Sequence, residues 1–397
     1  MDYPLNKWVE VNIEALEYNL TSIRGHMAEG VRLIAVIKSN AYGLGAVEVA
    51  RNLAYQGVNF FAVTFLQEAV ELRNNGIQQD ILIFAPLSAE EAAIAIKLDC
   101  TLTVASMADL ETVIKTTLQT GKEGRVHIKV DTGLSRFGAC PEDAMALARL
   151  AKKEENIFLE GIYTHFSEAA GSGSFTVYQY NKFIKLISDL NEAGIFIPLQ
   201  HCSSSSAFLR FPHMHLNAVR IGTLLGGQYP AGAIPRVLDL RDAFRFKARV
   251  AAVRYLSKGS YIGYYRTYRL KRDAQIAVIP VGFVDGLTVE PISKPSGLID
   301  LFKVIAKTEA AYLNLNRVAT VAKINGENVF IRGKVFMQFS LAEISPDMKV
   351  QIGDVVELPV KRTLASISIP RVYCRQDVAL EDSNRPACIS IKSASIL

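Results

Sequence analysis

The chain has 397 residues, half of them hydrophobic and 21% charged, which is enough apolar material for a large core and more chain than most single cores hold. Its formal net charge is +5, from 44 Lys and Arg against 39 Asp and Glu. The cations are scattered rather than gathered in runs, which sets aside nucleic acid as a partner. Five cysteines at 100, 140, 202, 374 and 388 include no CxxC pair, a pattern expected of free thiols in a reducing compartment. No metal is expected. The opening stretch MDYPLNKWVEVN has no apolar signal core, and no transmembrane-length run follows, so the expected location is cytoplasmic, away from membranes.

In chain order, the first strand-like segment is WVEVNI (8–13). Short apolar, often β-branched runs then recur: RLIAVIK (32–38), NFFAVTF (59–65), ILIFAP (81–86), TLTVAS (101–106), VHIKVD (126–131), LEGIYTH (159–165), PLQHCS (198–203) and AVRIG (218–222). Near-continuous apolar runs suit strands covered on both faces, as in parallel sheets. Helical patterns lie between them, at 45–57, 66–76 and 141–154. In the last of these, Pro141 suits the first turn, and Glu142 and Asp143 suit the helix dipole. Eight strands alternating with helices over about 190 residues predict an α/β fold, a (β/α)8 TIM barrel. An open doubly wound sheet is the alternative, weakened because no GxGxxG follows the first strand. After about residue 235 the texture becomes mostly β, and NGEN between VAKI and VFI signals a hairpin. The expected domains are residues 1–10, a strand packing with the β domain; 11–235, the barrel; and 236–397, the C-terminal β domain.

In such a barrel, functional groups gather at the C-terminal strand ends. Lys38 ends strand 1, Lys129 and Asp131 end strand 5 with Arg136 just beyond, and His165 ends strand 6. Ser203 to Ser206 follow strand 7, and Arg220 and Gly222 lie at strand 8. Singly, each has a plain structural role available: a solvated lysine cap, a satisfied histidine, a serine loop, or an aspartate holding a turn. Their joint placement on one barrel face points further. A lysine, a cradle of hydroxyls and backbone N–H groups, and an arginine between them suit pyridoxal phosphate.

The ordered motifs AVIKSNAYGLG, KVDTGLSRFG, EGIYTHFSEA, VRIG and KGSYIGYYRTY…VIPVGFVDG resemble those of the alanine racemase family over roughly residues 5 to 375. The resemblance implies a pyridoxal 5′-phosphate barrel, a C-terminal β domain and a homodimer with shared active sites. It implies an isomerase that interconverts L- and D-alanine, an L- and D-amino-acid substrate pair, by two bases. Lys38 would hold the cofactor and serve as one base; Tyr264, supplied by the partner subunit, would be the other. Arg220 would hydrogen-bond the pyridine nitrogen, and His165 would orient the ring and Tyr264. Arg136 would contact the cofactor's phenolic oxygen or the substrate carboxylate, steadied by Lys129, a position often carbamylated in the family. Tyr42, Ser205, Gly222 and Thr223 would line the phosphate, and Met337 would lie near the substrate carboxylate.

Several positions depart from the family. Gln338 stands where a carboxylate usually follows Met337, Pro359 where a phosphate-contacting tyrosine is expected, and Phe283 where the entryway has tyrosine. Leu44 replaces a histidine, SSSA replaces NSAA, and Gly226 replaces the tyrosine after strand 8. These changes leave racemisation of another, or a broader, set of amino acids as the alternative. A related decarboxylase and a non-catalytic pyridoxal-phosphate-binding protein fit less well. The first would need a late catalytic cysteine, and the second is usually a barrel without a β domain.

Overall fold

The structure is a computed structural model that describes residues 4–290, 295, 297–313, 315, 319–375 and 388–389. The remaining parts of the expected terminal segments, 1–3 and most of 376–397, lie outside the described residues. The chain divides into two compact units, residues 13–243 and residues 1–12 with 244–397.

The unit 13–243 is the expected barrel. After strand β1 (Lys7–Asn12), which belongs to the other unit, come β2 (Arg32–Val36), β3 (Phe60–Val63), β4 (Asp80–Ile83) and β5 (Thr101–Val104). Then follow β6 (Gly124–Lys129), β7 (Ile157–Tyr163), β8 (Leu199–His201) and β9 (Ala218–Ile221). All eight barrel strands are parallel; β2 pairs with both β3 and β9, so the first and last strands are neighbours. The ring closes between β8 and β9 through a single bridge, Ser204 with Arg220. Strands β3 and β5 are buried at every residue, which explains their apolar runs.

Helix starts follow their local chemistry. Ser88 accepts a hydrogen bond from Glu91 N while Glu91 accepts from Ser88 N, a reciprocal cap opening the helix Ala89–Lys97. Pro141 opens Pro141–Ala151, with Glu142 and Asp143 in its first turn, where the dipole favours negative charge. Each such helix buries one face: Ala144, Leu147, Ala148 and Ala151 are 1% exposed or less.

The other unit is built on a ten-stranded sheet. Strand β1 sits inside it, antiparallel to Phe244–Arg249 and parallel to Arg371–Cys374. The expected hairpin joins Val321–Ile324 to Glu327–Ile331. Asn325 and Gly326 form its two-residue turn, both at positive φ (50° and 84°), as a type I′ turn requires. Besides short 3-10 turns, the β texture is interrupted by a 15-residue helix at Leu298–Tyr312, which the strand-based reading of this half did not include. Among the described residues no helix is long and apolar enough to cross a membrane.

Candidate active site

The site begins two residues after β2, at Lys38. Lys38 opens a turn in which Ser39, Asn40, Ala41 and Tyr42 all have φ between 51° and 55°. Four successive left-handed residues without a glycine cost roughly 1–2 kcal/mol each, so the turn needs outside support. Glu68 supplies part of it, accepting from the backbone N–H groups of Ser39, Thr64 and Phe65. Asn40 Oδ1 accepts from Ala46 N at 2.8 Å, and Asn40 O accepts from both Gly43 N and Gly45 N. The glycines thus finish a turn already left-handed from Ser39 onward. Strain held in this way is a mark of functional sites.

The turn brings Lys38 and Tyr42 to a cavity of about 280 Å³ at the C-terminal end of the barrel strands. Its lining includes every barrel residue to which the family resemblance gave a role, Lys38, Tyr42, Lys129, Arg136, His165, Ser205, Arg220, Gly222 and Thr223, but not Asp131 or Ser203. It also includes Phe84 and Tyr163 at strand ends and Phe137 and Pro230 in loops, which sequence reasoning missed because these side chains carry no distinctive chemical signal. The four serines separate. Ser203 is buried and donates to Met214 O at 2.7 Å, while Ser204, Ser205 and Ser206 line the cavity. Ser205 Oγ accepts from Gly222 N at 3.2 Å. A side chain at 222 would meet Tyr42, since a Cβ there would lie 2.7 Å from Tyr42 Cε2. Only glycine lets the backbone come this close. Asp131 takes the structural role, accepting from Gly133 N, Leu134 N and Ser135 N to hold its turn.

Four basic side chains line the cavity, Lys38, Lys129, Arg136 and Arg220, and no carboxylate does among the described residues. Their mutual repulsion in a place of low dielectric shapes the titration of the site. Burial and the neighbouring Arg136 lower the Lys38 pKa, against a weaker pull from Glu68. Burial, then Arg220 and Arg136, hold Lys129 well below an ordinary lysine. Its Nζ lies 4.5 Å from the centroid of the Tyr163 ring, in cation–π range. Burial, then Arg220, does the same to His165, which is therefore neutral. Its Nδ1 lies 3.3 Å from Arg220 Nη2, and since arginine only donates, Nδ1 accepts. Burial lowers Arg220 to about 10, still a cation at neutral pH.

The depressed Lys129 pKa predicts a pH-dependent stability. Above its ordinary value of 10.5 neither the folded nor the unfolded chain holds the proton, and below its folded value both do. Between these limits only the unfolded chain holds it. Unfolding there takes up a proton, and stability rises with pH by up to ~1.4 kcal/mol per unit. In urea unfolding of the ligand-free protein, Lys129→Met is expected to flatten this rise just below pH 10.5. An unchanged slope would show that the amine is not held neutral.

Tyr264 and Met337 lie in the other unit. Tyr264 follows Gly263 (φ 80°) and precedes two positive-φ residues, Tyr265 and Arg266, in a loop that leaves Tyr264 60% exposed. Its ring packs edge-on against Phe336, centroids 4.8 Å apart. Met337 and Phe283 are also exposed, and Phe283 N donates to Phe336 O at 3.1 Å. Gln338 and Pro359 are exposed as well.

Residues 11–230 match the family description "Alanine racemase, N-terminal domain", and residues 243–373 match "Alanine racemase, C-terminal domain". The alanine racemase of Methanococcus maripaludis is 34% identical over 365 residues, 91% of each chain. Alanine racemase 1 of Caldanaerobacter subterraneus subsp. tengcongensis is 34% identical over 369 residues, 91% of this chain and 87% of its own. Among solved structures, the alanine racemase of Clostridium difficile 630 superposes with a TM-score of 0.83 at 29% identity, covering 94% of this chain and 97% of that one.

Proposed function

The chain belongs to the alanine racemase family, and on that premise we propose that it is an amino-acid racemase that interconverts L- and D-alanine with pyridoxal 5′-phosphate. The observation that carries the reading is the cavity itself. It offers one lysine amine, three further basic side chains, a cradle of hydroxyls with a backbone N–H, and no carboxylate. That donor set fits a ligand with a phosphate, a phenolic oxygen and an aldehyde. When bound, the cofactor would supply the aldehyde that takes the substrate amine and a conjugated ring that acidifies the α-hydrogen.

Each residue then has a task. Lys38 anchors the cofactor, and because its pKa is lowered, it is more readily the free amine that can take a proton from the α-carbon. Tyr264 serves the opposite face of that carbon. Tyr42, Ser205, Gly222 and Thr223 hold the phosphate. Arg220 donates to the ring nitrogen and, as a lasting cation, keeps that nitrogen from gaining a proton. Arg136 meets the phenolic oxygen or the substrate carboxylate, with Met337 beside the latter. Lys129, held neutral, can take up carbon dioxide as a carbamate, whose negative charge would offset Arg136 and Arg220. A homodimer in which the partner supplies Tyr264 is supported by the exposed apolar side chains around it, Tyr265, Phe283 and Met337.

The test is a panel of L-amino acids given to the cofactor-loaded protein, with the D-enantiomer followed by chiral chromatography. Alanine is expected to be racemised fastest. The second reading, a broader range, rests on Gln338, an exposed neutral amide where the family usually has a carboxylate. It predicts that serine or larger polar amino acids approach or exceed alanine. No racemisation of any amino acid would end both readings.

A further inference from the structure

Beneath the cavity, Arg220 is 3% exposed and makes no hydrogen bond to a carboxylate among the described residues. Its Nη1 reaches His201 Nδ1 at 2.7 Å. Arginine has no acceptor, so His201 Nδ1 carries no proton and its N–H is on Nε2. That Nε2 faces His127 Nδ1 at 3.0 Å, which must accept in turn, placing the His127 proton on Nε2. His127 Nε2 then donates to Glu160 Oε2 at 3.0 Å, and Thr101 Oγ1 donates to the same oxygen at 3.0 Å. Every donor in this chain points from Arg220 towards Glu160.

The fold is shaped around it. The register of β6 against β7 slips between Val126, opposite Leu159, and His127, opposite Gly161. Glu160 is the extra residue of that bulge, a device that re-aims a side chain. Gly161 leaves room for the imidazole, since a Cβ there would sit 2.6 Å from His127 Cε1. The Tyr163 ring stacks on His201 at 4.9 Å and 5°, and its hydroxyl is fixed by Thr103 Oγ1 at 2.9 Å. Both imidazoles and Thr101 are fully buried, and Glu160 is 7% exposed. Burial lowers both histidines, keeping them neutral. Burial pushes Glu160 up, but hydrogen bonds from His127 and Thr101 prevail and keep it ionised.

We infer that Glu160, His127 and His201 are positioning residues, a one-way relay that locks both imidazole tautomers and holds Arg220 as a pure donor facing the cavity. The relay's role rests on the reading of that cavity as a cofactor site. The glutamate supplies counter-charge at the far end of two neutral rings, so no carboxylate competes directly for the guanidinium.

The experiment uses the cofactor-loaded enzyme and Glu160→Gln, with Glu160→Asp as the conservative control. A glutamine can donate to His127 and so permit the reversed chain, which would set a His201 N–H against Arg220. Imidazole ¹⁵N NMR of the wild type is expected to show Nε2–H at both His127 and His201. Glu160→Gln is expected to disturb those signals, shift the visible absorbance of the bound cofactor and lower kcat ~10–100-fold with little change in KM. Glu160→Asp is expected to restore most of each. An Nδ1–H signal at His201 in the wild type, or unchanged tautomers, absorbance and kcat in Glu160→Gln, would overturn the relay. A wild type that shows the expected tautomers but neither takes up pyridoxal phosphate nor racemises would instead overturn the functional reading, because the imidazole signals do not depend on turnover.

Discussion

Replacing Lys38 by alanine is expected to abolish racemisation and, with it, the visible absorbance of lysine-bound cofactor. Two roles fall together on this amine, anchoring and proton transfer. No second lysine can take over, because Lys129 is buried with its Nζ over the Tyr163 ring. General acid–base work alone contributes about 10²–10⁴-fold, and loss of covalent attachment adds to it. Pyridoxal phosphate should still bind through the cradle of Tyr42, Ser205 and Gly222, now reversibly and removable by dialysis. Equilibrium dialysis and chiral chromatography on the same preparation read both effects. Cofactor that remains undialysable in Lys38→Ala would move the anchor to another residue.

Tyr264→Phe carries the second large effect. It removes one hydroxyl from an exposed loop, so folding and cofactor absorbance are expected to stay as in the wild type. Racemisation in both directions is expected to fall about 10²–10⁴-fold. A two-base enzyme that loses one base keeps the chemistry of the other face. Solvent deuterium should therefore still enter the α-position of one alanine enantiomer and no longer enter that of the other. Equal exchange into both enantiomers, or unchanged racemisation, would remove Tyr264 from the mechanism.

The barrel was legible because its strands are buried on both faces and so read as unbroken apolar runs, as in FFAV at Phe60–Val63. The barrel side of the site was legible for a related reason. A charged residue ending such a run, as Lys38 does, has few places to go except the strand's open end. The left-handed turn at Ser39–Tyr42 was not legible, since only Asn40 among those residues tolerates positive φ well, and then as a single residue rather than a run, and the support comes from Glu68, distant in sequence. The relay was overlooked although a signal existed. Glu160, His127 and His201 are polar residues set within apolar strand runs, and a buried polar group demands a partner. What no spacing rule could give was the bulge that turns Glu160 towards His127. Tyr264 is different again: its loop has no regular period, and only the resemblance singled it out.

The single bridge that joins β8 to β9 gives the barrel a consequence beyond catalysis. The cradle straddles that seam: Ser205 comes from one side of it, Gly222 and Thr223 from the other, and Tyr42 from the turn after the neighbouring β2. A dianion gripped there would lace three strands together where the sheet's own bonding is thinnest. Without it, the guanidinium groups of Arg136 and Arg220 sit near that weakest edge with no carboxylate in the cavity lining to offset them. Cofactor uptake would then act as the last step of assembly, and a ligand present at 100 times its dissociation constant adds about 2.7 kcal/mol to the folded state. A newly made chain starved of the cofactor would then be the one most open to proteases, and the seam would act as a checkpoint on its maturation.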